Sequence, residues 1–249
     1  MFFADIHSHA LYAVDDGPET EAKMYEAVAA SYRDGIRHLC LTPHFHPGFY
    51  GNNQEKAEAA FQKLLAHCSA NYPDLKLYLG NELHYSPDCI SWLFDGHCRT
   101  LNKTRYVLVD FSHKVSKKEL SYGLENLLRN GYLPILAHAE RYQNASVKLL
   151  EELKQNGVLL QLNAQAILGE FGFSQKQKTK KILSKELADF VASDAHDFKY
   201  RTSKMTQCYE YLLKKYSASY ADFLCRDNAL EQLLNVTSER KSYGSANKN

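Results

Sequence analysis

The stretch Phe3-Ala4-Asp5-Ile6-His7-Ser8-His9 is the most informative part of the chain, because a short apolar strand runs directly into a His-x-His pair. Residues two apart in a strand point the same way, so His7 and His9 at a strand end could offer two imidazole nitrogens to one metal ion. Neutral imidazole is the commonest metal ligand in proteins, and imidazole mixed with carboxylate suits zinc, manganese or iron. Two histidines in a loop are as often without a functional role as they are metal ligands. The pair therefore supports a metal site only together with other residues of the chain.

Other apolar runs end in the same class of residue. They are rich in Val, Ile, Leu and Tyr, which indicates strands buried on both faces. The residues that follow them are His44, Glu82, Asp110, His138, Asp194 and His196. One further run, residues 158–162, ends instead at Asn163. In barrels built from strand–helix units, catalytic residues gather at the carboxyl ends of the strands. The repetition therefore predicts one polar site at one end of a barrel.

Amphipathic segments between the strands predict helices over residues 19–33, 55–66, 117–129 and 147–155. Regular alternation of strands and helices is typical of a parallel sheet with helices outside it. Roughly seven such strands, with no break in composition, predict one closed or nearly closed α/β barrel, and 249 residues is an ordinary length for it. We expect a single domain over residues 1–235. The Ser, Lys, Asn and Gly content of residues 236–249 predicts a flexible tail.

The overall composition limits the classes of binding partner and the cellular compartment that are expected for the protein. Lys and Arg number 30 against 29 Asp and Glu, so the net charge of +1 provides no general attraction for nucleic acid. The basic run Lys176 to Lys185 has a helical pattern and is more simply a solvated helix face than a docking surface for an acidic partner. No apolar stretch is long enough to span a membrane, and no secretory signal is recognisable. Six cysteines without a Cys-x-x-Cys pair suit a reduced, cytoplasmic protein.

The motifs at the strand ends resemble a known superfamily. His7-x-His9, Asp16-Gly17, Thr42-Pro43-His44, Gly80-Asn81-Glu82 and Ser193-Asp194-Ala195-His196 are similar to the PHP superfamily, named for polymerase and histidinol phosphatase. Residues 14–18 and His138-Ala139-Glu140-Arg141-Tyr142 resemble more narrowly its bacterial protein-tyrosine phosphatases, which are encoded with capsule and exopolysaccharide genes. The resemblance covers about Asp5 to Arg201. It implies a distorted, TIM-barrel-like barrel of seven strand–helix units, the PHP fold.

The resemblance also implies three divalent metal ions, with manganese favoured over iron or zinc. The first would be bound by His7, His9, Glu82 and Asp194. Glu82 would bridge to a second, bound also by Asp110 and His138, and the third would be bound by Asp16, His44 and His196. The family usually has Glu where this chain has Asp110, which is one methylene shorter, so the second ion must lie closer to the strand or be bound through water. Arg141 and Arg201 match the phosphate-binding arginines of the family.

The implied activity is that of a hydrolase, a metal-dependent phosphomonoesterase that removes phosphate from tyrosine in proteins by means of a hydroxide bridging two ions. Three divalent ions against four carboxylates leave a charge of about +2, which suits a phosphate dianion. Arg141 could bind the phosphate oxygens in fork geometry. A tyrosine leaves as a phenolate of pKa about 10, so little help from an acid is needed. His46 and His113 are candidate proton donors, although surface or supporting roles without catalytic effect are favoured for both.

Three neighbouring residues have simpler expected roles. His84 follows Glu82 at strand spacing and is expected to pack beside the site in a structural role. Asp5 is expected to orient an imidazole, as carboxylates behind metal-binding histidines do. Asp15 is expected to be a turn residue.

Several functions stay open at this point. The expected substrate is the tyrosine-rich tail of a bacterial tyrosine kinase that controls polysaccharide export. One alternative is a PHP phosphoesterase for a small molecule such as histidinol phosphate, or for nucleic-acid ends, although the neutral charge argues against nucleic acid. The other is a metal-binding regulator without turnover, against which the full ligand set and Arg141 argue. The sequence does not decide the oligomeric state.

Cysteine-dependent tyrosine phosphatases are a rival class. They carry His-Cys, five residues and then Arg in a glycine-rich loop. Here Arg105 comes one residue too late after His97-Cys98, and no glycine follows the cysteine to let backbone N–H groups converge on phosphate. The motif is therefore an accidental near miss.

Overall fold

The computed structural model describes residues 1–50 and 53–233. The strands are β1 (Phe3–Ser8), β2 (Ile36–Leu41), β3 (His44–Phe45), β4 (Lys76–Leu79), β5 (Glu82–His84), β6 (Tyr106–Asp110), β7 (Leu133–Leu136), β8 (Leu159–Asn163) and β9 (Phe190–Ala192). The α-helices are α1 (Glu21–Arg33), α2 (Gln54–Asn71), α3 (Cys89–Phe94), α4 (Lys117–Arg129), α5 (Val147–Gln155), α6 (Ala164–Leu168), α7 (Phe173–Ser184), α8 (Met205–Lys215), α9 (Ala218–Asp222) and α10 (Asn228–Gln232). The predicted tail, residues 236–249, and the last two residues of the predicted domain lie outside the described residues.

Two of the predicted apolar runs are each followed, after a two-residue break, by a short additional strand, so the nine strands form seven strand–helix units. The break between β2 and β3 falls at Thr42-Pro43, where proline has no N–H to donate. The break between β4 and β5 falls at Gly80-Asn81. The Asn81 side chain donates to the Pro43 carbonyl at 2.9 Å, and so joins the two breaks. The expected seven units are therefore present, with two irregular strands.

The barrel is assembled from two parallel sheets, with orders β1-β2-β4 and β3-β5-β6-β7-β8-β9. Every pairing between these strands is parallel. A bridge between Ser8 and Ala195 joins the two ends of the strand series, and the His9 N–H donates to the Ala195 carbonyl at 2.8 Å. The predicted α/β barrel is confirmed, and it is distorted because the split strands divide it into two sheets.

Asp5 closes the barrel rather than orienting an imidazole, so the expectation for this residue was wrong. Its buried carboxylate accepts hydrogen bonds from the Ser193 N–H at 3.0 Å, the Ser193 hydroxyl at 2.5 Å and the His7 N–H at 3.2 Å. Burial raises the pKa of Asp5 to about 6 against these donors. Asp5 therefore links β1 to the end of β9 and fixes the backbone from which His7 and Asp194 project.

The helices follow local signals closely. α4 begins with a capping box, in which the Ser116 hydroxyl accepts from the Glu119 N–H and the Glu119 carboxylate accepts from the Ser116 N–H. The observed bounds of α4 and α5 are the predicted ones, whereas α2 continues to Asn71, five residues beyond its predicted end. No helix among the described residues is both long and apolar enough to cross a bilayer.

Gly123 allows α4 to pack closely on the segment that follows Asp110. A Cβ atom at this position would lie 2.7 Å from Cε1 of the buried Phe111 and 3.0 Å from Cε1 of Tyr85. The Phe111 and Tyr85 rings are themselves stacked, with centroids 5.0 Å apart. The helix therefore has no room for a side chain here.

We predict that Gly123→Ala destabilises the protein by about 1–3 kcal/mol, because overpacking outweighs the helix propensity of alanine. The measurement is the free energy of unfolding in urea. Glu125→Ala, at an exposed position of the same helix, is the control and should change stability by less than about 0.5 kcal/mol. A Gly123→Ala protein as stable as its parent would show that the contact relaxes at no cost.

Candidate metal centre

The carboxyl ends of the strands bring every candidate ligand into one site. Three groups of side chains have ligand atoms that all lie within 4.8 Å of one another. The groups are His7, His9 and Asp194; Glu82, Asp110 and His138; and His9, Asp16, His44 and His196. Each predicted ligand occurs in at least one of them. His9 occurs in two groups, which the predicted assignment to single ions did not anticipate.

Glu82 occupies the middle of this site and is only 1% exposed. Its Oε1 lies 2.8 Å from His138 Nε2. Its Oε2 lies 2.8 Å from His44 Nδ1, 3.3 Å from His9 Nε2 and 3.4 Å from His7 Nε2. The two oxygens thus face different groups of histidines, which is the geometry that a bridging carboxylate requires.

The backbone is strained at two of the candidate ligands. His138 has φ 35° and Asp194 has φ 53°, the left-handed region that residues other than glycine rarely adopt. Each residue lies two positions after the last residue of a strand, His138 after β7 and Asp194 after β9. The left-handed turn directs each side chain inward at the strand end, and strain of this kind is concentrated at functional sites.

Carboxylates and histidines alter one another's ionisation throughout the site. Burial would raise the pKa of Glu82, but His7 and His44 hold it well below its usual range. Burial would lower the pKa of His7, yet the Glu82 and Asp194 carboxylates raise it to about 9. In the same way the pKa of His44 reaches about 12, against its burial and mainly because of Glu82. The carboxylates therefore attract positive charge into the site.

Two other histidines favour the neutral form. Burial and then His9 lower the pKa of His196 to about 4. Burial and then Arg141 lower the pKa of His138. Neutral imidazole is the form that binds metal ions.

The arrangement of ring nitrogens and oxygens fits divalent metal ions. His7 Nε2 and His9 Nε2 face each other at 3.1 Å, and atoms bound to one ion at about 2.1 Å lie roughly 3 Å apart. Three buried atoms in the site, Glu82 Oε2, His138 Nδ1 and His196 Nε2, have no hydrogen bond of good geometry to the described residues. Buried polar atoms are normally satisfied, so these atoms indicate an absent partner. The mixed imidazole and carboxylate donors suit manganese, iron or zinc.

Asp15 supports two of the candidate ligands, a role that the sequence did not suggest. Its Oδ2 lies 2.7 Å from His9 Nδ1 and accepts from the His44 N–H at 2.9 Å, while its Oδ1 accepts from the Gly17 N–H at 3.0 Å. Asp15 is thus a turn residue, as predicted, and also orients the His9 ring so that Nε2 faces the site.

Side chains of strand β8 hold several candidate ligands in place, although none of the candidate ligands lies on this strand. Gln161 Oε1 lies 3.1 Å from His7 Nδ1 and accepts from the His138 N–H at 2.8 Å. The Gln161 amide donates to Asn163 Oδ1 at 2.8 Å, and the Asn163 amide donates to Asp194 Oδ2 at 2.9 Å. The sequence signal for this supporting role was the pair Gln161 and Asn163, two polar residues at strand spacing in an otherwise apolar run.

The two predicted phosphate-binding arginines lie at the open side of the site. Arg141 Nη1 is 3.6 Å from Asp194 Oδ2. Arg201 reaches Asp16 Oδ2 at 3.3 Å and Asp194 Oδ1 at 3.4 Å. Their side chains are 27% and 40% exposed, so both guanidinium groups can meet a ligand from solvent. A cavity of about 190 Å³ beside Arg201 is lined also by Asp16 and His196.

Cys98 belongs to none of the three groups of candidate ligands. It is 2% exposed, burial raises the pKa of its thiol, and its recorded polar contact is with the Arg99 carbonyl at 3.9 Å. All six cysteines, each within the described part of the chain, are free and buried. These observations favour the interpretation of the His97-Cys98 motif as accidental, since a nucleophilic cysteine must be a thiolate.

Gly17 fixes the turn that presents Asp16. A Cβ atom at Gly17 would lie 1.9 Å from the His9 carbonyl oxygen, which belongs to the backbone and has little freedom to move. We predict that Gly17→Ala displaces the turn and weakens metal binding by roughly 10–100-fold, the effect typical of disturbing the groups around a metal site. The measurement is the metal content after competition with a graded series of chelator concentrations.

Glu19→Ala, at a solvent-exposed position two residues away, is the control for this substitution and should bind metal as the parent does. Parental metal affinity in Gly17→Ala would contradict the role assigned to the turn.

Comparisons with known proteins place these features in context. The family described as capsular polysaccharide synthesis, CpsB/CapC, matches residues 3–235. The tyrosine-protein phosphatase CpsB of Streptococcus pneumoniae is 34% identical over 231 residues, 90% of this chain and 95% of that protein. The tyrosine-protein phosphatase YwqE of Bacillus subtilis is 31% identical over 235 residues, 94% of this chain and 92% of that protein.

Solved structures are similar over most of the chain. One from a study of YwqE and CpsB, described as metal-dependent tyrosine phosphatases, superposes with a TM-score of 0.84 at 29% identity and covers 94% of this chain and 95% of that one. The histidinol phosphate phosphatase of Lactococcus lactis superposes with a TM-score of 0.56 at 15% identity, covering 86% of this chain and 93% of that one. At that identity the second likeness concerns the fold alone.

Proposed function

Because the chain belongs to the CpsB/CapC family of capsular polysaccharide synthesis proteins, we propose that it is a metal-dependent phosphatase that hydrolyses phosphotyrosine in proteins. One observation carries this proposal: imidazoles and carboxylates converge on the buried Glu82, with two arginines at the open side of the same cluster. The first part suits metal ions and the second suits a phosphate dianion.

The residues fit three divalent ions, of which manganese is our first choice. His7, His9, Glu82 and Asp194 would hold one; Glu82, Asp110 and His138 a second; and Asp16, His44 and His196 the third. When bound, such ions supply positive charge and lower the pKa of water, so that a nucleophile exists at neutral pH. The pairing of His9 with both the first and third groups supports a compact cluster rather than separate sites.

Arg141 and Arg201 would hold the phosphate. Asp194 lies within 3.6 Å of both guanidinium groups, and Asp16 lies within 3.3 Å of Arg201, so the two arginines are held in place before a ligand arrives. Each guanidinium can donate two parallel hydrogen bonds to phosphate oxygens. Arginines that are already oriented need little rearrangement as charge develops on these oxygens, which is the usual source of rate enhancement in phosphoryl transfer.

Aromatic side chains near the site favour an aromatic phosphate. The Tyr50 ring stacks on His44 with centroids 5.6 Å apart and planes at 14°. Phe49 packs on His46 at 4.7 Å and is 77% exposed. An exposed ring beside a phosphate site can stack on the ring of phosphotyrosine, and offers less to an aliphatic phosphate. A phenolate of pKa about 10 also needs less protonation than an alkoxide on leaving.

The substrate that we propose is the tyrosine-rich tail of a bacterial tyrosine kinase that controls polysaccharide synthesis, in the cytoplasm. The family description, which concerns capsular polysaccharide, supports this choice. We also propose that residues 1–235 act as one domain, because the candidate ligands come from both ends of the strand series, from His7 to His196. Small-molecule phosphatase activity of the histidinol phosphate type is the second candidate, supported only by a shared fold.

The decisive experiment compares a phosphotyrosine peptide with histidinol phosphate, in metal-free buffer and after manganese is added back. We predict no turnover by metal-depleted protein, recovery with manganese, and clear preference for the phosphotyrosine peptide. Full activity at a confirmed metal content near zero would exclude the metal-dependent mechanism. Preference for histidinol phosphate would favour the second candidate, and no turnover of either by fully loaded protein would favour a non-catalytic regulator.

We predict that Arg141→Ala keeps its metal content but loses roughly 10²–10³-fold in kcat, the loss typical of removing one donor to developing charge. Cys98→Ser is the matched control and should retain full activity, because its buried thiol has no part in the mechanism. Unchanged turnover in Arg141→Ala would show that this arginine does not hold phosphate. A folded, metal-loaded Cys98→Ser protein without activity would instead favour thiolate chemistry.

A further inference from the structure

We propose that His84 is a positioning residue, which holds the Asp110 carboxylate in place for the second ion and is itself held by His46. This inference rests on the proposed metal-dependent function. It concerns a residue for which the sequence predicts only a structural role beside the site.

The sheet places His84 directly beside Asp110. The two residues are register partners across strands β5 and β6. His84 is also two residues after Glu82 in β5, so both side chains leave the strand on the same face. The side chains of these two register partners are in direct polar contact.

The contact engages one oxygen of Asp110 and leaves the other available. His84 Nδ1 is hydrogen-bonded to Asp110 Oδ1. Asp110 Oδ2 has no hydrogen bond to the described residues, and Asp110 contributes a ligand atom to the group that includes Glu82 and His138. A carboxylate fixed through one oxygen presents the other in a defined direction, as supporting residues around metal sites require.

His84 is held in this orientation by stacking. The His46 ring lies on it with centroids 4.0 Å apart and planes at 19°, and Phe49 packs on His46 at 4.7 Å. The His84 side chain is 26% exposed, so it is partly open to solvent yet flanked by His46 and Asp110. This column of Phe49, His46 and His84 leads from the surface loop after β3 to the candidate ligand Asp110.

Other candidate ligands have a comparable partner. Asp15 orients His9, Gln161 lies against His7, and Asn163 donates to Asp194. His84 is the corresponding partner of Asp110. Aspartate has a short side chain, so a small rotation changes the direction of its oxygens, and a partner that blocks this rotation has a direct effect on metal affinity.

The test measures manganese stoichiometry and dissociation constants in four variants: His84→Ala, His84→Asn, Asp110→Glu, and His84→Ala with Asp110→Glu. We expect His84→Ala to weaken one ion by roughly 10–100-fold while the others bind as in the parent. His84→Asn should retain most of the affinity, because its amide nitrogen can donate from near the place of Nδ1. The double variant should recover the lost affinity, because the longer glutamate reaches the ion without help from His84.

His67→Ala is the matched control. His67 is also a half-buried histidine in an aromatic stack, on Tyr25 at 3.9 Å, but it lies in α2 and in none of the three ligand groups. It should bind manganese as the parent does. Thermal unfolding of every variant shows whether the fold is kept, and His84→Asn supplies the comparison if His84→Ala does not fold.

The outcomes separate this inference from the proposed function. Parental affinity for all ions in His84→Ala would overturn the positioning role alone. A loss that neither asparagine nor Asp110→Glu relieves would also overturn it, since His84 would then bind the ion itself. A parent protein that binds no divalent ion would overturn the proposed function and, with it, this inference.

Discussion

The buried carboxylate of Glu82 is the interaction on which the rest of the site depends. Its two oxygens lie within 3.4 Å of nitrogens from His7, His9, His44 and His138, which arrive from three different strand ends. A carboxylate without solvent is unfavourable unless positive charge surrounds it. Protons on the histidines can supply that charge, and divalent ions can supply it more strongly. The arrangement of side chains at this end of the barrel is therefore expected to depend on the binding of cations, either protons or divalent ions.

The polar residues around Glu82 form a hydrogen-bond network, and removing one of its members would leave buried polar groups unpaired and destabilise the protein. Gln161 and Asn163 connect His7, His138 and Asp194 through side chains of a single strand. Asp5 joins the backbone of the first and last strands behind them. In a site of low dielectric constant, a fully satisfied network defines one arrangement, whereas a partly satisfied one is destabilising. Asp5 thus both closes the barrel and fixes the backbone from which two candidate ligands, His7 and Asp194, project.

In the proposed function, recognition of phosphate would depend on local rather than overall charge. The chain has a net charge of +1, so it provides little long-range attraction for an anion. Positive charge is concentrated at Arg141 and Arg201, which lie on the open side of a carboxylate-rich site. Without bound cations the carboxylates would repel a phosphate dianion, so substrate binding and metal loading are expected to be linked. In the proposed function, the exposed Phe49 ring in the loop after β3 would provide a surface for the organic part of the substrate.

The sequence alone determined the features that depend on local chemistry. The bounds of α4 and α5 follow from serine caps and from the Asn-Gly pairs beyond their ends, which act within a few residues. Most candidate ligands could be found because they lie at or just beyond the end of an apolar run, whereas Asp16 was indicated by the family resemblance. Short elements without such signals, including α3 and α6, did not have a recognisable pattern.

Only the tertiary structure decided which residues support the ligands. His7 and Gln161 are 154 positions apart, and His84 and Asp110 are 26 apart, yet each pair is in direct contact. Such pairing depends on strand order and register, which result from packing the whole barrel. The sequence therefore determined which residue types are present at the strand ends, because burial and turn chemistry act locally. The structure determined how those residues are oriented, because orientation depends on neighbours that are distant in the chain.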